Sequence, residues 1–241
     1  PRCEIGRHKE FKIKSLYMIF FPSFNPNENL IKTIDELLIK GIKNDNILIV
    51  NDGSGIGLDI FEVLKNKGIN ILNHDKNYGK GKAIKTALQF AKDKNIKFSI
   101  CADSDGQHHV DDIYYLYMFS KSERFDFQKL VITQRNFEKK MPIASKFGNF
   151  ISSLIINLIY KKKFKDTQCG LRLIPYKKYD SFLKFKNNGF DFEMKCLLFC
   201  LKNNSLESDI YIKSIYTKDR YTNFKKIEDS LLILSQIFRR D

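Results

Sequence analysis

The stretch Ile100-Cys101-Ala102-Asp103-Ser104-Asp105-Gly106-Gln107-His108-His109 places two carboxylates, Asp103 and Asp105, directly after the apolar run 98–102. A short apolar run that ends in acidic residues and a glycine is typical of a buried strand. In a doubly wound sheet, ligands bind at the edge where the carboxyl ends of the strands lie. The stretch therefore predicts a parallel sheet with a polar site at one edge.

Short apolar runs alternate with longer segments of helical period along the chain, which is the pattern of βα units. The strands predicted in this way cover residues 17–21, 47–50, 69–72, 98–102 and 130–133. Asn25-Pro26 has the composition of a helix N-cap followed by its first residue. The 241 residues, 43% of them hydrophobic, are enough for one domain with a substantial core. We expect a single Rossmann-like α/β domain with helices on both faces of a mostly parallel sheet.

The net charge of the chain is strongly positive, with 42 Lys plus Arg against 28 Asp plus Glu and a formal value of +14. Such an excess favours an anionic partner: a nucleic acid, an anionic membrane surface or a phosphorylated substrate. A bias of the sequence toward lysine and asparagine also contributes. Because the basic residues are spread along the chain without a nucleic-acid-binding signature, no nucleic acid is expected. A basic nucleic-acid-binding module is the non-enzyme alternative.

The cysteines form no C-x-x-C pair and no metal-ligand spacing, so they are interpreted as buried thiols in a reducing compartment. No run of about 18 apolar residues occurs, and the first residues do not lead into a signal-peptide core. These features predict a cytoplasmic protein without a membrane span.

Residues 147–160 form a largely apolar segment that runs into Lys161-Lys162-Lys163-Phe164-Lys165. An apolar helix that ends in lysines is able to lie on an anionic bilayer. A core helix with a solvated basic end explains the same pattern, and the sequence leaves both interpretations open.

Several chemistries place two carboxylates at a strand end. A calcium-binding EF-hand loop starting at Asp103 needs Gly at its sixth position and Glu at its twelfth, where this chain has His108 and Tyr114. A haloacid-dehalogenase-type phosphatase has Thr or Val after D-x-D-G on its first strand, whereas Gln107 follows here and other strands precede. A Mg²⁺ or Mn²⁺ ion on Asp103 and Asp105 that neutralises the diphosphate of a nucleotide sugar fits better. The structural alternative is a pair of exposed turn acids.

The carboxylate pair stands in a series of motifs. Pro22-Ser23-Phe24-Asn25 resembles the Pro-x-Tyr-Asn opening of family 2 glycosyltransferases. Val50-Asn51-Asp52-Gly53-Ser54 resembles their Val-Asp-Asp-Gly-Ser, and Asn77-Tyr78-Gly79-Lys80-Gly81 resembles their Asn-x-Gly-Lys-Gly. All three precede the carboxylate pair in the family's order.

Later motifs are similar to the branch of dolichyl-phosphate mannose and glucose synthases and to bacterial polyprenyl-phosphate relatives. They are Ala102 to His108, Asp166-Thr167-Gln168-Cys169-Gly170-Leu171-Arg172, Gly189-Phe190-Asp191-Phe192-Glu193, and Tyr221-Thr222-Asn223-Phe224 with Asp229-Ser230. The resemblance covers roughly residues 15–238. It implies the glycosyltransferase A-type fold over 15–241, after an extension at 1–14, with a nucleotide-sugar half at about 15–135 and an acceptor half at about 136–241.

The resemblance also implies residue roles. The nucleotide pocket would be lined by Pro22, Phe24, Asn25 and Asp52, with Asp52 as a partner of the base. The metal and the diphosphate would be bound by Asp103 and Asp105, and the metal shell would be completed by Gln107.

Phosphate groups of the donor or acceptor would face Arg135, Arg172 and Lys146, because guanidinium groups pair with phosphate oxygens. Lys80, near a helix start, either meets phosphate or is a solvated lysine. Two departures, Asn51 in place of the family's first acid and Gly55-Ile56 in place of Thr-Asp, concern the nucleotide side. A third is Asn223, where the family has His.

Members of the family invert the anomeric centre in a single displacement. The resemblance therefore implies transfer of a hexose from a UDP- or GDP-sugar to a polyprenyl phosphate by a protein bound peripherally at the cytoplasmic membrane face. A phosphate acceptor is already an anion at neutral pH and needs no general base. A hydroxyl acceptor, the alternative, needs a carboxylate, for which Asp191 and Glu193 are the candidates. Asp191 is also interpretable as a helix cap.

Overall fold

The computed structural model describes residues 16–136, 143–213 and 228–238, with a sheet of seven strands. The strands are β1 Tyr17–Ser23, β2 Ile47–Asn51, β3 Asn70–Asn73, β4 Phe98–Cys101, β5 Leu130–Asn136, β6 Arg172–Pro175 and β7 Leu206–Lys213. The helices are α1 Asn29–Ile39, α2 Leu58–Asn66, α3 Lys80–Asp93, α4 Val110–Phe119, α5 Ile143–Tyr160, α6 Tyr176–Leu183, α7 Asp191–Lys202 and α8 Glu228–Phe238.

The strand order is β3-β2-β1-β4-β6-β5-β7. β1 pairs in parallel with β2 and β4, β2 with β3, and β5 with β7. Among the described strands, β6 alone is antiparallel, both to β4 and to β5. The prediction of a mostly parallel sheet is confirmed.

Helices cover both faces of the sheet because the strands are apolar on both sides. Met18 and Phe20 of β1 belong to one core, together with apolar residues of α3, α6 and α7. Ile19 and Phe21 belong to the other, together with residues of α1, α2 and α4. Side chains alternate between the faces of a strand, so a strand buried on both sides is apolar throughout.

The five predicted strands are present, but the first helix begins later than predicted. α1 starts at Asn29 and Glu28 is its N-cap residue, whereas Asn25 has a positive φ of 50° and lies outside the helix. Cys101, Cys169, Cys196 and Cys200 are buried and unpaired. None of the helices within the described ranges is long and apolar enough to span a membrane. The extension 1–14 and the motif at Tyr221 to Phe224 lie outside these ranges.

Candidate active site

Several strand ends meet at one edge of the sheet. β1, β2 and β4 are parallel, so the residues at or just after their carboxyl ends lie at this edge, among them Asn51-Asp52 and Ala102-Asp103. β5 points in the same direction and brings Arg135 to the same edge, since β6 is antiparallel to both of its neighbours. The fold thus brings the predicted residues Asp52, Asp103 and Arg135 to one edge.

The antiparallel strand β6 starts where β4 ends. Cys101 lies opposite Arg172 in the β4–β6 register, and continuing that register by two residues places Gly170 opposite Asp103. A Cβ atom built on Gly170 would lie 2.4 Å from Asp103 Oδ2. A larger residue at position 170 would therefore push the Asp103 carboxylate aside.

The Asp103 carboxylate contacts two side chains, the Lys80 ammonium and the His108 imidazole. Lys80 Nζ lies 2.6 Å from Asp103 Oδ1, and His108 Nε2 donates to Oδ2 at 3.0 Å. Burial by itself raises the pKa of Asp103, but the Lys80 ammonium and the His108 hydrogen bond outweigh it and hold that pKa well below its ordinary value. Asp103 is therefore an anion whose charge is largely neutralised within the protein.

Asp105 is in a different electrostatic environment. Its oxygens accept the backbone N–H of Gln107 at 3.1 Å and the Gln107 side-chain amide. Burial, and then the neighbouring Asp103 charge, raise the pKa of Asp105 above its ordinary value. The structure therefore places Gln107 against Asp105, whereas Lys80 is the partner of Asp103.

Lys80 links the carboxylate pair to α7. Its Nζ lies 2.8 Å from Glu193 Oε2 as well as 2.6 Å from Asp103 Oδ1. Burial by itself lowers the pKa of Lys80, but the Asp103 and Glu193 carboxylates outweigh it and raise that pKa above its ordinary value. The interpretation of Lys80 as a solvated lysine is wrong.

Arg172 is buried and continues this array of charges. Its Nε donates to Cys169 O at 3.1 Å, its Nη1 donates to Glu193 O at 2.7 Å, and Nε lies 3.5 Å from Glu193 Oε1. Charges of opposite sign thus alternate along Asp103, Lys80, Glu193 and Arg172. Contact of Arg172 with a phosphate stays a prediction; in this structure it orients Glu193 and the start of β6.

Asp52 holds a loop together. Its Oδ1 accepts hydrogen bonds from His74 Nδ1 at 2.6 Å and Tyr78 N at 3.0 Å, and its Oδ2 accepts one from Gly79 N at 2.8 Å. His74 Nε2 in turn hydrogen-bonds with Thr86 Oγ1 at 2.9 Å. The buried Asp52 carboxylate therefore fixes the loop that leads into Lys80, and its contact with a nucleotide base stays a prediction.

Asn25 organises the neighbouring loop. Its side-chain Oδ1 accepts the backbone N–H groups of Gly55 at 3.0 Å and Ile56 at 3.3 Å, and its own N–H donates to Ser54 Oγ at 2.9 Å. These bonds occur at the position where the sequence departs from the family pattern. Pro22 lies in β1 opposite Val50, and Phe24 is half-buried just beyond the strand. Their roles in a nucleotide pocket stay predictions.

Arg135 is held in a bidentate ion pair. Its Nε lies 2.5 Å from Asp166 Oδ2 and its Nη2 lies 3.2 Å from Oδ1. Asp166 is fully buried and also accepts the side-chain amide of Asn149 at 2.9 Å. The segment 166–170 thus pairs with Arg135 at one end and packs on Asp103 at the other. Lys146 lies on α5, but its side chain is outside the described part of the chain.

Asp191 is the first residue of α7, and the interpretation of Asp191 as a helix cap is wrong. Phe190 is the N-cap residue, and no side chain caps this helix. Asp191 Oδ2 instead accepts hydrogen bonds from the side-chain amides of Asn187 and, at 3.4 Å, Gln236 of α8. Its carboxylate is therefore held in place by two neutral donors.

The donor set at the strand edge suits a hard divalent cation. Across the described ranges, no three His, Cys, Asp or Glu side chains are grouped to hold a metal ion. Mg²⁺ usually takes only one or two protein carboxylates and completes its shell with water and substrate phosphates. Carboxylate oxygens are the donors that such a hard cation prefers. Asp103 and Asp105 therefore fit such an ion.

Sequence reasoning missed several residues of this site. His74 follows β3 at the same edge of the sheet, so the rule that found Asp52 and Asp103 also points to it. Gly170 and Asp166 lie in a quoted motif, but their contacts depend on the order of the strands. Asn187 and Gln236 carry no local signal.

The sequence of the chain matches a known protein family. Residues 18–186 match the family model described as Glycosyl transferase family 2. The chain belongs to glycosyl transferase family 2. It is a glycosyltransferase, as the series of motifs around the carboxylate pair predicted.

Relatives in Methanocaldococcus jannaschii and Methanococcus voltae align with most of the chain. An uncharacterized protein of Methanocaldococcus jannaschii is 28% identical over 211 residues, which are 85% of this chain and 84% of that protein. The UDP-N-acetylglucosamine--dolichyl-phosphate N-acetylglucosaminyltransferase of Methanococcus voltae is 27% identical over 230 residues, covering 85% of this chain and 87% of that enzyme. This match confirms that the chain resembles the dolichyl-phosphate branch of the family 2 glycosyltransferases.

Solved structures show the same fold. Glucosyl-3-phosphoglycerate synthase of Mycobacterium tuberculosis has a TM-score of 0.70 at 12% identity, over 95% of this chain and 80% of that one. Mannosyl-3-phosphoglycerate synthase of Rubrobacter xylanophilus has a TM-score of 0.68 at 15% identity, over 92% and 72%. The predicted α/β glycosyltransferase fold is confirmed.

Proposed function

We propose that this glycosyltransferase moves a hexose from a UDP- or GDP-sugar to a polyprenyl phosphate, with inversion at the anomeric carbon. We further propose that it acts as a peripheral protein at the cytoplasmic face of the membrane. The observation that carries the reaction class is the array Asp103–Lys80–Glu193, which joins a strand-end carboxylate pair to a buried cation. The Methanococcus voltae relative, named for a dolichyl-phosphate acceptor, supports the choice of acceptor.

A divalent ion, Mg²⁺ or Mn²⁺, would be held by Asp103 and Asp105, with Gln107 beside them. Glucosyl-3-phosphoglycerate synthase of Mycobacterium tuberculosis has been solved in complex with Mn²⁺ together with UDP or UDP-glucose, which supports both the ion and the donor class. When bound, the ion supplies Lewis-acid stabilisation of the departing nucleoside diphosphate. Lys80, already placed against Asp103, adds a second positive charge for the diphosphate.

The residues of this chain position the two substrates. Pro22, Phe24, Asn25 and the Asp52 loop form the nucleotide side of the site, within the proposed nucleotide-sugar half at 15–135. Arg135 lies at the boundary with the proposed acceptor half at 136–241, where Asp166 holds its guanidinium in a fixed plane. A guanidinium ordered in this way is suited to phosphate oxygens.

No general base is required for a phosphate acceptor. The second ionisation of a phosphate monoester has a pKa near 6, so the acceptor is an anion at neutral pH. One of its oxygens forms the bond to the anomeric carbon while the bond from that carbon to the diphosphate oxygen breaks. The catalytic contribution of the protein is then the positioning of two anions and the neutralisation of their charge.

Transfer to a hydroxyl is the second candidate, and the position of Asp191 favours it. The Asp191 carboxylate is fixed by Asn187 and Gln236 rather than used as a helix cap, as a positioned base would be. In that reaction Asp191 would accept the proton of the hydroxyl. Glu193 is less suited to this role because its carboxylate oxygens already lie beside Lys80 and Arg172.

One assay tests the proposal. The full chain is incubated with labelled UDP- and GDP-sugars, UDP-N-acetylglucosamine among them, and a polyprenyl phosphate, with Mn²⁺, with Mg²⁺ or with a chelator. We expect label in the organic phase from one donor, and loss of that label with the chelator. If a donor binds but labels no lipid, while a glycan hydroxyl is labelled and Asp191→Asn abolishes that transfer, the hydroxyl reaction replaces the proposal.

A further inference from the structure

Unlike an ordinary surface helix, α5 buries polar side chains and exposes apolar ones. Among residues 149–160, its buried side chains include Asn149, Ser152 and Ser153, whereas its most exposed ones are apolar. The exposed set is Phe150 at 62%, Leu154 at 55%, Leu158 at 81% and Ile159 at 52%. Phe150, Leu154 and Leu158 are spaced four residues apart and therefore form one stripe along the helix. The alternative of a core helix with a solvated basic end accounts for Ile156, which is buried in the core, but not for the exposed apolar side chains.

The polar side of α5 explains why the helix faces this way. Asn149 Nδ2 donates to the buried Asp166 carboxylate at 2.9 Å, and Ser152 Oγ lies 2.9 Å from Thr167 Oγ1. Buried polar groups need such partners, so the polar side of α5 is required against the segment 166–170. The apolar stripe is consequently directed to the outside.

A cluster of lysines is fixed at the end of this stripe. Lys161, Lys162 and Lys163 are exposed directly after α5. The Asn157 side chain ties this turn back to the helix, since it donates to Phe164 O at 2.8 Å and accepts from Phe164 N at 2.7 Å. Phe164 itself is buried and anchors the turn. The lysines are therefore held beside the apolar stripe.

We propose that the α5 stripe, defined as Phe150, Leu154 and Leu158, together with Lys161–Lys163, is a docking surface for an anionic lipid bilayer. An apolar face flanked by lysines matches the acyl boundary and the anionic headgroups of a bilayer. The inference rests on the proposed function, because the opposite side of α5 holds Asp166 and with it the Arg135 guanidinium. A lipid phosphate in a bilayer contacted by the stripe is thus one helix away from the proposed acceptor site.

Vesicle binding tests the surface directly. The full chain is sedimented with phosphatidylcholine vesicles, with and without phosphatidylglycerol, and the bound fraction is measured. We expect preferential binding to the vesicles that contain phosphatidylglycerol. Leu158→Glu should lower the partition coefficient about tenfold or more, because it puts a charge into the apolar contact. Replacing Lys161, Lys162 and Lys163 by Glu should remove the preference for phosphatidylglycerol, since each lysine contributes roughly fivefold near an anionic surface.

Ile39→Glu is the matched control, because Ile39 is 84% exposed at the end of α1, away from the stripe, and Leu158 is 81% exposed. The control should bind vesicles like the wild-type chain. The inference is overturned if the wild-type chain binds neither vesicle, or if Leu158→Glu and Ile39→Glu bind alike. A dimer that Leu158→Glu dissociates, without vesicle binding, would overturn it in favour of a second copy of the chain.

Different results would reject the docking surface and the proposed function. Transfer by the wild-type chain to a short, water-soluble prenyl phosphate requires no bilayer. Transfer without vesicle binding rejects only the docking surface, and vesicle binding without transfer to any prenyl phosphate rejects only the proposed function.

Discussion

Lys80 Nζ lies 2.6 Å from Asp103 Oδ1, so the first acid of the strand-end pair already has a cationic partner within the protein. The same ammonium lies 2.8 Å from Glu193 Oε2, on a different helix. One lysine therefore supports both the conformation of the carboxylate pair and the placement of α7 beside it. Stability and activity are expected to depend on the same contact.

Lys80→Met should destabilise the protein and abolish transfer. Removing one partner of a buried ion pair leaves an uncompensated charge, and we expect a loss of about 3 kcal/mol in the free energy of unfolding at neutral pH. Transfer should fall about a hundredfold or more, because a cation near the departing diphosphate is lost. Urea denaturation and a transfer assay measure the two effects. Lys82→Met, at an exposed position of the same helix, should change neither; equal effects of the two substitutions would contradict the role of Lys80.

Asp105→Asn should stabilise the metal-free protein at pH 7 while lowering transfer about a hundredfold. Burial and the Asp103 charge raise the pKa of Asp105 in the folded state, so ionised Asp105 destabilises the fold. This destabilisation is present above the folded pKa and disappears as the pH falls through it toward the unfolded value of about 3.9. Thermal unfolding of both proteins as a function of pH should show a difference that vanishes in acid.

Asp103→Asn is the control, because its effect on the free energy of unfolding at pH 7 should be opposite in sign to that of Asp105→Asn. The folded pKa of Asp103 is held low, so this carboxylate stabilises the fold above the unfolded value of about 3.9. That stabilisation is lost as the pH falls through the folded pKa. The variant should therefore be less stable than wild type at pH 7 and approach it in acid. Changes of the same sign at neutral pH in both variants would contradict the assignment of the two environments.

Gly170→Ala should impair transfer through Asp103. The added Cβ would lie 2.4 Å from Asp103 Oδ2, so the carboxylate has to move from its place beside Lys80. We expect a loss of about 1–3 kcal/mol in the free energy of unfolding, as for other overpacked sites, and at least about a tenfold loss of transfer. Gly55→Ala is the matched control, because a Cβ there meets nothing within 4 Å. If both variants retain transfer, Gly170 is not needed for the position of Asp103.

Asp52→Asn should loosen the loop before α3. The substitution replaces one acceptor oxygen with an amide group, so at least one of the His74, Tyr78 and Gly79 donors loses its partner. A buried donor left without an acceptor costs about 1–3 kcal/mol. We also expect a raised KM for the nucleotide sugar. Asp75→Asn, at the exposed residue after His74, should leave both quantities unchanged, and a similar rise in KM there would contradict this role of Asp52.

Local patterns predicted those residues of the site that lie at the ends of strands. Asp52, Asp103 and Asp105 follow apolar runs, and parallel strands bring such positions to one edge. Arg135 was predicted only by the resemblance to the family. The same reasoning did not find β6, because Arg172–Pro175 is a four-residue strand without a distinguishing pattern. It also misplaced the start of α1, because Asn25 uses its side chain to hold residues 55 and 56 rather than to cap a helix.

The sequence by itself determined the α/β class, the carboxylates at the sheet edge and membership in a family of sugar transferases, because periodicity and short motifs are local properties. Only the tertiary structure decided that Lys80 pairs with Asp103 and Glu193, that Gly170 packs on Asp103, and that α5 presents its apolar side outward. These features depend on β4 lying beside β6 and on which buried polar groups require partners. Contacts between segments distant in the chain are set by the order of the strands in the sheet, which is a property of the whole fold and not of any one segment.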